Sequence, residues 1–149
     1  MYVENWSPKE RIKMTPVKAL NHIGIAVNSI EEQRPFYEQT LGAEFEGYED
    51  VVSQKVRVAF FRINDIRLEL LEPTEPSSAI AKFLEKRGEG LHHLAFTVEN
   101  IKERISELQA EGLKMIDESP RQGAHKMQIA FVHPKSTHGV LTELCQPPN

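Results

Sequence analysis

Two short stretches constrain this chain more than anything else in it. They are Leu20-Asn21-His22-Ile23-Gly24-Ile25-Ala26-Val27 and Gly90-Leu91-His92-His93-Leu94-Ala95-Phe96-Thr97-Val98. Both alternate like strands, and each heads one half of an internal repeat. His22 and His93 lie 71 positions apart, Gly42 and Gly112 70, Ala59-Phe60 and Ala130-Phe131 71, and Glu69 and Glu143 74. Pro73 and Pro147 repeat the last offset. The step from 71 to 74 falls in the polar loop His133-Pro134-Lys135-Ser136-Thr137-His138, where an insertion does little harm. A period this long, present twice, marks a duplicated module rather than a solenoid.

Each half reads as strand, helix, three strands. In the first, Asn28-Ser29 offers an N-cap to a short helix carrying Ile30, Phe36, Tyr37 and Leu41. Pro35 within it predicts a start later than that cap, because its missing amide is tolerated only early in a helix. Gly42 is the expected stop. Strands are expected at 43–49, 54–63 and 66–72, ended by Pro73 and Pro76. A helix at 77–87 connects the halves. The second half then has a strand at 91–98, an amphipathic helix at 101–111 closed by Gly112, and strands near 113–118, 126–132 and 139–146. One βαβββ unit alone leaves a sheet face uncovered. The expected fold class is therefore α+β, with two tandem βαβββ modules forming one domain. Its expected boundaries are an irregular N-terminal arm at 1–18, read as a poorly ordered terminus with docking through Trp6 as the alternative, and a single domain at 19–149. Within that domain, module one is 19–75, the connecting helix 76–89 and module two 90–149.

Composition narrows the function. A net charge of -4 gives no electrostatic case for nucleic acid or an anionic membrane. No apolar run is long enough to span a bilayer. The single cysteine, Cys145, excludes an intrachain disulfide and fits a reducing compartment. Met1 to Lys18 carries Glu4 and Glu10 and has no apolar core, unlike a secretory signal, so a cytoplasmic location is expected.

The chemistry lies in the matched residues. Alternation puts His22 on one face with Gly24 and Ala26, and His93 with Ala95 and Thr97, small neighbours that leave room for a cavity. Glu69 and Glu143 point away from the apolar faces of their strands. The duplicated units therefore bring two imidazoles and two carboxylates toward a pseudo-two-fold axis. Two His and two Glu suit a divalent ion such as Zn, Co, Ni, Mn or Fe(II), and in an octahedral site they leave two positions open. Such an ion acts as a Lewis acid on a chelated oxygen. Burying the two carboxylates without a cation would be costly. Strict alternation puts His92 on the helix-covered face, which reads as structural. His125, His133 and His138 sit in loops, outside the ligand set. Cys145 reads as a small buried thiol.

The paired modules with His/Glu and His/Glu resemble the vicinal oxygen chelate (glyoxalase/bleomycin resistance/dioxygenase) superfamily, and within it the methylmalonyl-CoA epimerase family. The likeness is carried by Leu68-Glu69-Leu70-Leu71-Glu72-Pro73, Ile80-Ala81-Lys82-Phe83-Leu84, Gly88 to Phe96, Gly123-Ala124-His125 and Phe131-Val132-His133-Pro134-Lys135-Ser136. It covers roughly residues 20–146. The resemblance implies a metal-dependent isomerase that epimerises methylmalonyl-CoA, moving the α-proton through a metal-stabilised enolate. It implies a divalent metal (Co, Mn, Zn or Ni) on His22, Glu69, His93 and Glu143, a small-molecule acyl-CoA partner and a homodimer. Some family members carry Gln where Glu69 stands. The family acid proposed as proton-transfer base falls at Ser53, in Val52-Ser53-Gln54-Lys55. A serine is a poor base unless activated, so Glu49, Asp50, a water or Glu143 are the alternatives. Lys135 and Ser136 are candidate substrate contacts, a cation and a hydroxyl suited to phosphate or carboxylate. Two rival enzymes use similar sites. One is a glyoxalase I-like lactoylglutathione lyase, against which the local motifs argue. The other is an Fe(II) ring-cleaving dioxygenase, whose open positions Glu69 would crowd. A third rival is a non-catalytic metal- or ligand-binding module of the same fold.

Overall fold

Both halves contribute to one eight-stranded mixed sheet, curved into a half-barrel and flanked by three helices. The structure is a computed structural model that describes residues 14–149, so Trp6 and most of the N-terminal arm lie outside the described residues. In chain order the elements are β1 (Ala19–Ala26), α1 (Ile30–Pro35), β2 (Glu44–Val51), β3 (Val56–Ile63), β4 (Ile66–Pro73), α2 (Ala79–Arg87), β5 (Gly90–Thr97), α3 (Ile101–Ala110), β6 (Arg121–Gln122), β7 (Gln128–Val132) and β8 (Thr142–Gln146). Their spatial order is β2-β3-β4-β1-β5-β8-β7-β6. The first strands of the two halves, β1 and β5, pair antiparallel at the centre, while β1 runs parallel to β4 and β5 parallel to β8. The pseudo-two-fold axis therefore passes between β1 and β5.

Period-2 alternation divides the core between the two sheet faces. On the outer face, Val27, Ile30, Ala59, Phe61 and Leu70 pack around α1, and Val98, Ile101, Ile105, Ala130 and Leu144 around α3. On the inner face, Ile80 of α2 seals Ala26, Val58, Phe60 and Leu71 of the first half. Ala95, Met127, Ile129, Phe131 and Cys145 form its counterpart in the second. Burying a side chain the size of Phe61 stabilises by about 2–3 kcal/mol. The inner face thus keeps an apolar floor around whatever polar groups it holds.

Three local expectations change. Helix α1 begins at Ile30, capped by Ser29, whose Oγ accepts from Glu32 N at 3.2 Å. It does not start later, as Pro35 suggested. Instead Pro35 ends the α-helical bonding, and Phe36–Thr40 continue as a π-turn in which Leu41 N donates to Phe36 O at 3.0 Å. A wider turn absorbs the missing amide and the ring. The strand expected at 113–118 is reduced to an isolated bridge between Met115 and Val132. There the Asp117 carboxylate accepts from Phe131 N at 2.9 Å, so a side chain takes a ladder position that backbone would fill. The strands expected at 126–132 and 139–146 start at Gln128 and Thr142, because short 3₁₀ turns occupy 124–126 and 134–136. Gly42 and Gly112 end their helical segments with φ of 70° and 84°, the left-handed conformation glycine adopts without cost.

Candidate metal centre

His22 on β1, Glu69 on β4, His93 on β5 and Glu143 on β8 project from the four central strands into one point of the inner face. All four are buried, between 2% and 6% exposed. His22 Nε2 lies 3.1 Å from His93 Nε2 and 3.1 Å from Glu69 Oε2. His93 Nε2 lies 3.0 Å from Glu143 Oε2, which is 3.7 Å from His22 Nε2. Neighbouring ligands on an octahedral ion with bonds near 2.1 Å sit about 3 Å apart, so most of these spacings are those of donor atoms around a common centre. His22, Glu69 and His93 each offer an atom within 4.8 Å of the other two. Glu143 joins through its contacts to both imidazoles. Glu69 Oε1 is buried with no hydrogen-bond partner. A buried carboxylate oxygen left without a donor is expensive, and a cation is what satisfies it. The donor set therefore fits a divalent ion.

Local packing explains why the ligands reach. A Cβ on Gly24 would fall 2.2 Å from His93 Cε1, so only glycine lets the His93 ring lie across β1. Each glutamate stands opposite a repeat-matched aromatic, Phe60 beside Glu69 and Phe131 beside Glu143. The Phe131 ring meets His93 edge-on at 5.4 Å.

The two carboxylates are perturbed in opposite directions. Burial pushes Glu143 up, but the two imidazoles, His22 at 3.7 Å and His93 at 3.0 Å, outweigh it and hold the carboxyl down at about 2. Burial raises Glu69 above the usual carboxylate range, and His22 only partly offsets it. Burial alone would lower His22, yet Glu143 and Glu69 win and raise it. His92 is lowered to about 3, first by burial and then by His93. Two carboxylates pushed apart beside two imidazoles form a coupled set, and a cation at the centre favours the charged form of both.

A cavity of about 290 Å³ opens on these four side chains. Ser53 lines it from the 3₁₀ turn between β2 and β3, together with Lys55 and Arg121. Among the described residues no base stands within hydrogen-bond distance of the Ser53 hydroxyl. Asp50 is turned outward, paired with Arg57 at 2.8 Å, and Glu49 accepts from His125 N at 2.9 Å; neither lines the cavity. Lys135 and Ser136 are not brought to it either. Lys135 is exposed, and the Ser136 hydroxyl accepts from Lys114 N at 2.8 Å. His92 departs from its expected place. It packs against Phe83 of α2 at 4.9 Å, lines the cavity and contacts His93, because β5 carries a bulge there. Arg121 and Lys55 went unnoticed in the sequence. Arg121 has no repeat-matched counterpart, since Asp50 stands 71 positions before it, while Lys55 is matched by Lys126 and was legible as part of the repeat. The only local signal for Arg121 is its place just before Gly123-Ala124.

The profile of the glyoxalase/bleomycin resistance protein/dioxygenase superfamily matches residues 21–131. The ethylmalonyl-CoA/methylmalonyl-CoA epimerase of Cereibacter sphaeroides is 38% identical over 129 residues, 85% of this chain and 96% of that protein. The chain belongs to the methylmalonyl-CoA epimerase family of that superfamily. It is also similar to the Bacillus subtilis protein YqjC, 49% identical over 86% of this chain and 91% of that one. Among solved structures it matches a Streptomyces coelicolor methylmalonyl-CoA epimerase variant in complex with 2-nitronate-propionyl-CoA, with 38% identity and a TM-score of 0.85. That match covers 89% of this chain and 96% of the other. Within an epimerase family, Ser53 and its lack of an activating base are the feature of this cavity that most needs a chemical account.

Proposed function

We propose that this chain is a metal-dependent methylmalonyl-CoA epimerase, inverting the α-carbon of a 2-carboxyacyl thioester. The reading is carried by the buried His/Glu quartet with its unpartnered Glu69 oxygen, in a chain of the epimerase family. The α-carbon lies between a thioester carbonyl and a carboxylate, so its proton is already somewhat acidic. A divalent ion (Co, Mn, Zn or Ni) bound by His22, Glu69, His93 and Glu143 supplies a Lewis acid for the charge that develops on the thioester oxygen. Arg121 and Lys55 place positive charge at the cavity for an anionic substrate. Val56, Val58, Leu71 and Ile80 line it with apolar surface that keeps bulk water from the reacting carbon.

Inversion needs a proton-transferring group on each side of the α-carbon. In this reading Glu143 serves one side and the Ser53 hydroxyl, which lines the same cavity, serves the other as a relay to solvent rather than a base. Turnover should therefore be slow beside relatives that carry an acid at this position. The same reading includes a soluble cytoplasmic enzyme and a homodimer. No helix among the described residues is long and apolar enough to cross a membrane, and closed two-fold dimers are the commonest assembly.

The test is α-proton exchange of methylmalonyl-CoA in D₂O with added Co(II) or Mn(II). Deuterium uptake with interconversion of the two epimers is expected, together with a gain in rate in Ser53→Glu. Uptake no greater than that of His93→Ala would sink the proposal. Ser53 also favours a second reading, ligand binding without turnover. That reading wins if wild type and Ser53→Glu bind the acyl-CoA in a metal-dependent way and neither exchanges.

A further inference from the structure

The pairing of β1 with β5 breaks register twice, and each break leaves one residue without a partner. Leu20 pairs with Phe96 and His22 with Ala95, so Asn21 is extra on β1; Gly24 pairs with His93 and Ile25 with Leu91, so His92 is extra on β5. Asn21 immediately precedes His22 and His92 immediately precedes His93, and the two bulged residues are 71 positions apart, like the ligands themselves. A bulge re-aims its side chain out of strict alternation. In both halves it re-aims it onto the neighbouring imidazole. Asn21 Oδ1 lies 2.8 Å from His22 Nδ1, and His92 Nδ1 lies 2.9 Å from His93 Nδ1. Both contacts are on the ring nitrogen that faces away from the centre, while both Nε2 atoms face it.

An amide oxygen only accepts, so its contact places the proton of His22 on Nδ1 and leaves the Nε2 lone pair for the centre. The Asn21 amide is itself oriented by donating to Thr97 Oγ1 at 3.1 Å. His92 is held by the edge-on contact with Phe83. A ligand histidine whose outer nitrogen is bound is fixed in tautomer and ring angle, which strengthens its metal bond.

We infer that Asn21 and His92 are a symmetry-related pair of positioning residues, delivered by two β-bulges, that set the tautomer and ring orientation of the metal-ligating His22 and His93. The inference rests on the metal reading above but is separable from it. Asn21 is not among the residues that line the cavity, whereas His92 lines it beside His93, so the ion alone separates positioning from substrate contact. What they change is the affinity for the ion and the symmetry of its ligand field.

The test uses the full chain with Co(II) and Zn(II) alone. Affinity is measured by competition with a chelator, the ligand field by the Co(II) visible spectrum, and the imidazole N–H protons of the Zn(II) form by NMR. Asn21→Leu and His92→Leu are each expected to weaken binding about 10- to 100-fold, alter the Co(II) spectrum and lose the slowly exchanging Nδ1–H signal of the adjacent ligand. Asn21→Asp and His92→Asn keep an acceptor at the same place and are expected to retain affinity, spectrum and signal. His92→Asn gives module two the residue that module one already carries. If Leu and acceptor variants weaken binding alike, or none changes the spectrum, the pair is merely structural and the inference falls while the metal reading stands. If the wild-type chain binds neither ion, the metal reading falls and takes the inference with it. Should a Leu variant fail to fold, wild-type-like binding by the acceptor variant supports the inference and its loss there overturns it.

Discussion

The two modules agree closely at the centre and diverge away from it. Near the axis, each contributes a bulged residue, a buried histidine, a buried glutamate and a phenylalanine opposite that glutamate. At the edges, module one ends in the eight-residue strand β2, where module two has a single bridge at Met115 and the two-residue β6. The difference follows what each region must do. An ion is satisfied by donor atoms at fixed spacing and imposes the same demand on both modules. An asymmetric substrate needs different walls, and the diverged edges supply Ser53 and Lys55 from one side and Arg121 from the other.

The largest expected effect comes from breaking the match where it is already imperfect, at Gly24 and its counterpart Ala95. Gly24→Ala would drive a methyl into the His93 ring. A loss of metal affinity of about 10- to 100-fold is expected, with destabilisation of about 1–3 kcal/mol. Ala95→Gly should cost only about 0.5–1 kcal/mol and leave affinity unchanged. Chelator competition and thermal melts measure both. Equal effects would mean that the His93 ring does not lie across β1.

The glutamates give the next largest contrast, in the metal-free protein. Glu69 carries a buried oxygen without a donor and is raised by burial, so Glu69→Gln should raise Tm by several degrees. Glu143 lies 3.0 Å from His93 Nε2 and 3.7 Å from His22 Nε2, so Glu143→Gln should lower it by a similar amount. Both variants should bind Co(II) more weakly. Shifts of the same sign would show that the two carboxylates are equivalent.

The smallest effect distinguishes the two bulged residues, since His92 titrates and Asn21 does not. His92 falls from 6.5 unfolded to about 3 folded. A lowered histidine contributes stability that is complete above 6.5 and is lost as pH falls toward 3. Glu143, lowered from 4.5 to about 2, adds a loss that begins only below 4.5. Denaturant melts of the metal-free chain should therefore weaken already between pH 6.5 and 4.5. His92→Asn should shrink that upper part, leaving the share from His125, which burial also lowers, and keep the lower part. An unchanged profile would mean that His92 is solvated in solution.

The convergence of the His/Glu quartet was legible because a strand's period of two is local and the repeat supplies a second reading of every position. His22, Glu69, His93 and Glu143 each stand out by alternation, and their offsets of 71 and 74 differ only by the expansion of one polar loop. The edge of module two was not legible. Residues 113–118 have an acceptable strand composition, but the Asp117 carboxylate competes for the Phe131 amide, which no local pattern reveals. Pro35 misled for the opposite reason, because its local rule is strong and the widened turn that relieves it depends on the residues after it.

By itself, then, the sequence determined that the chain is a duplicated α+β unit with two His and two Glu meeting at its axis. Periodicity, glycine stops and constant offsets are properties of neighbouring residues and survive without a fold. Only the tertiary structure decided that Asn21 and His92 turn toward the imidazoles of His22 and His93, that Glu69 keeps a buried oxygen without a hydrogen-bond partner, and that Ser53 rather than Glu49 or Asp50 faces the cavity. Register between β1 and β5 is set by pairing residues some 70 positions apart. A bulge is therefore invisible in either strand alone, though it decides which side chains reach the site.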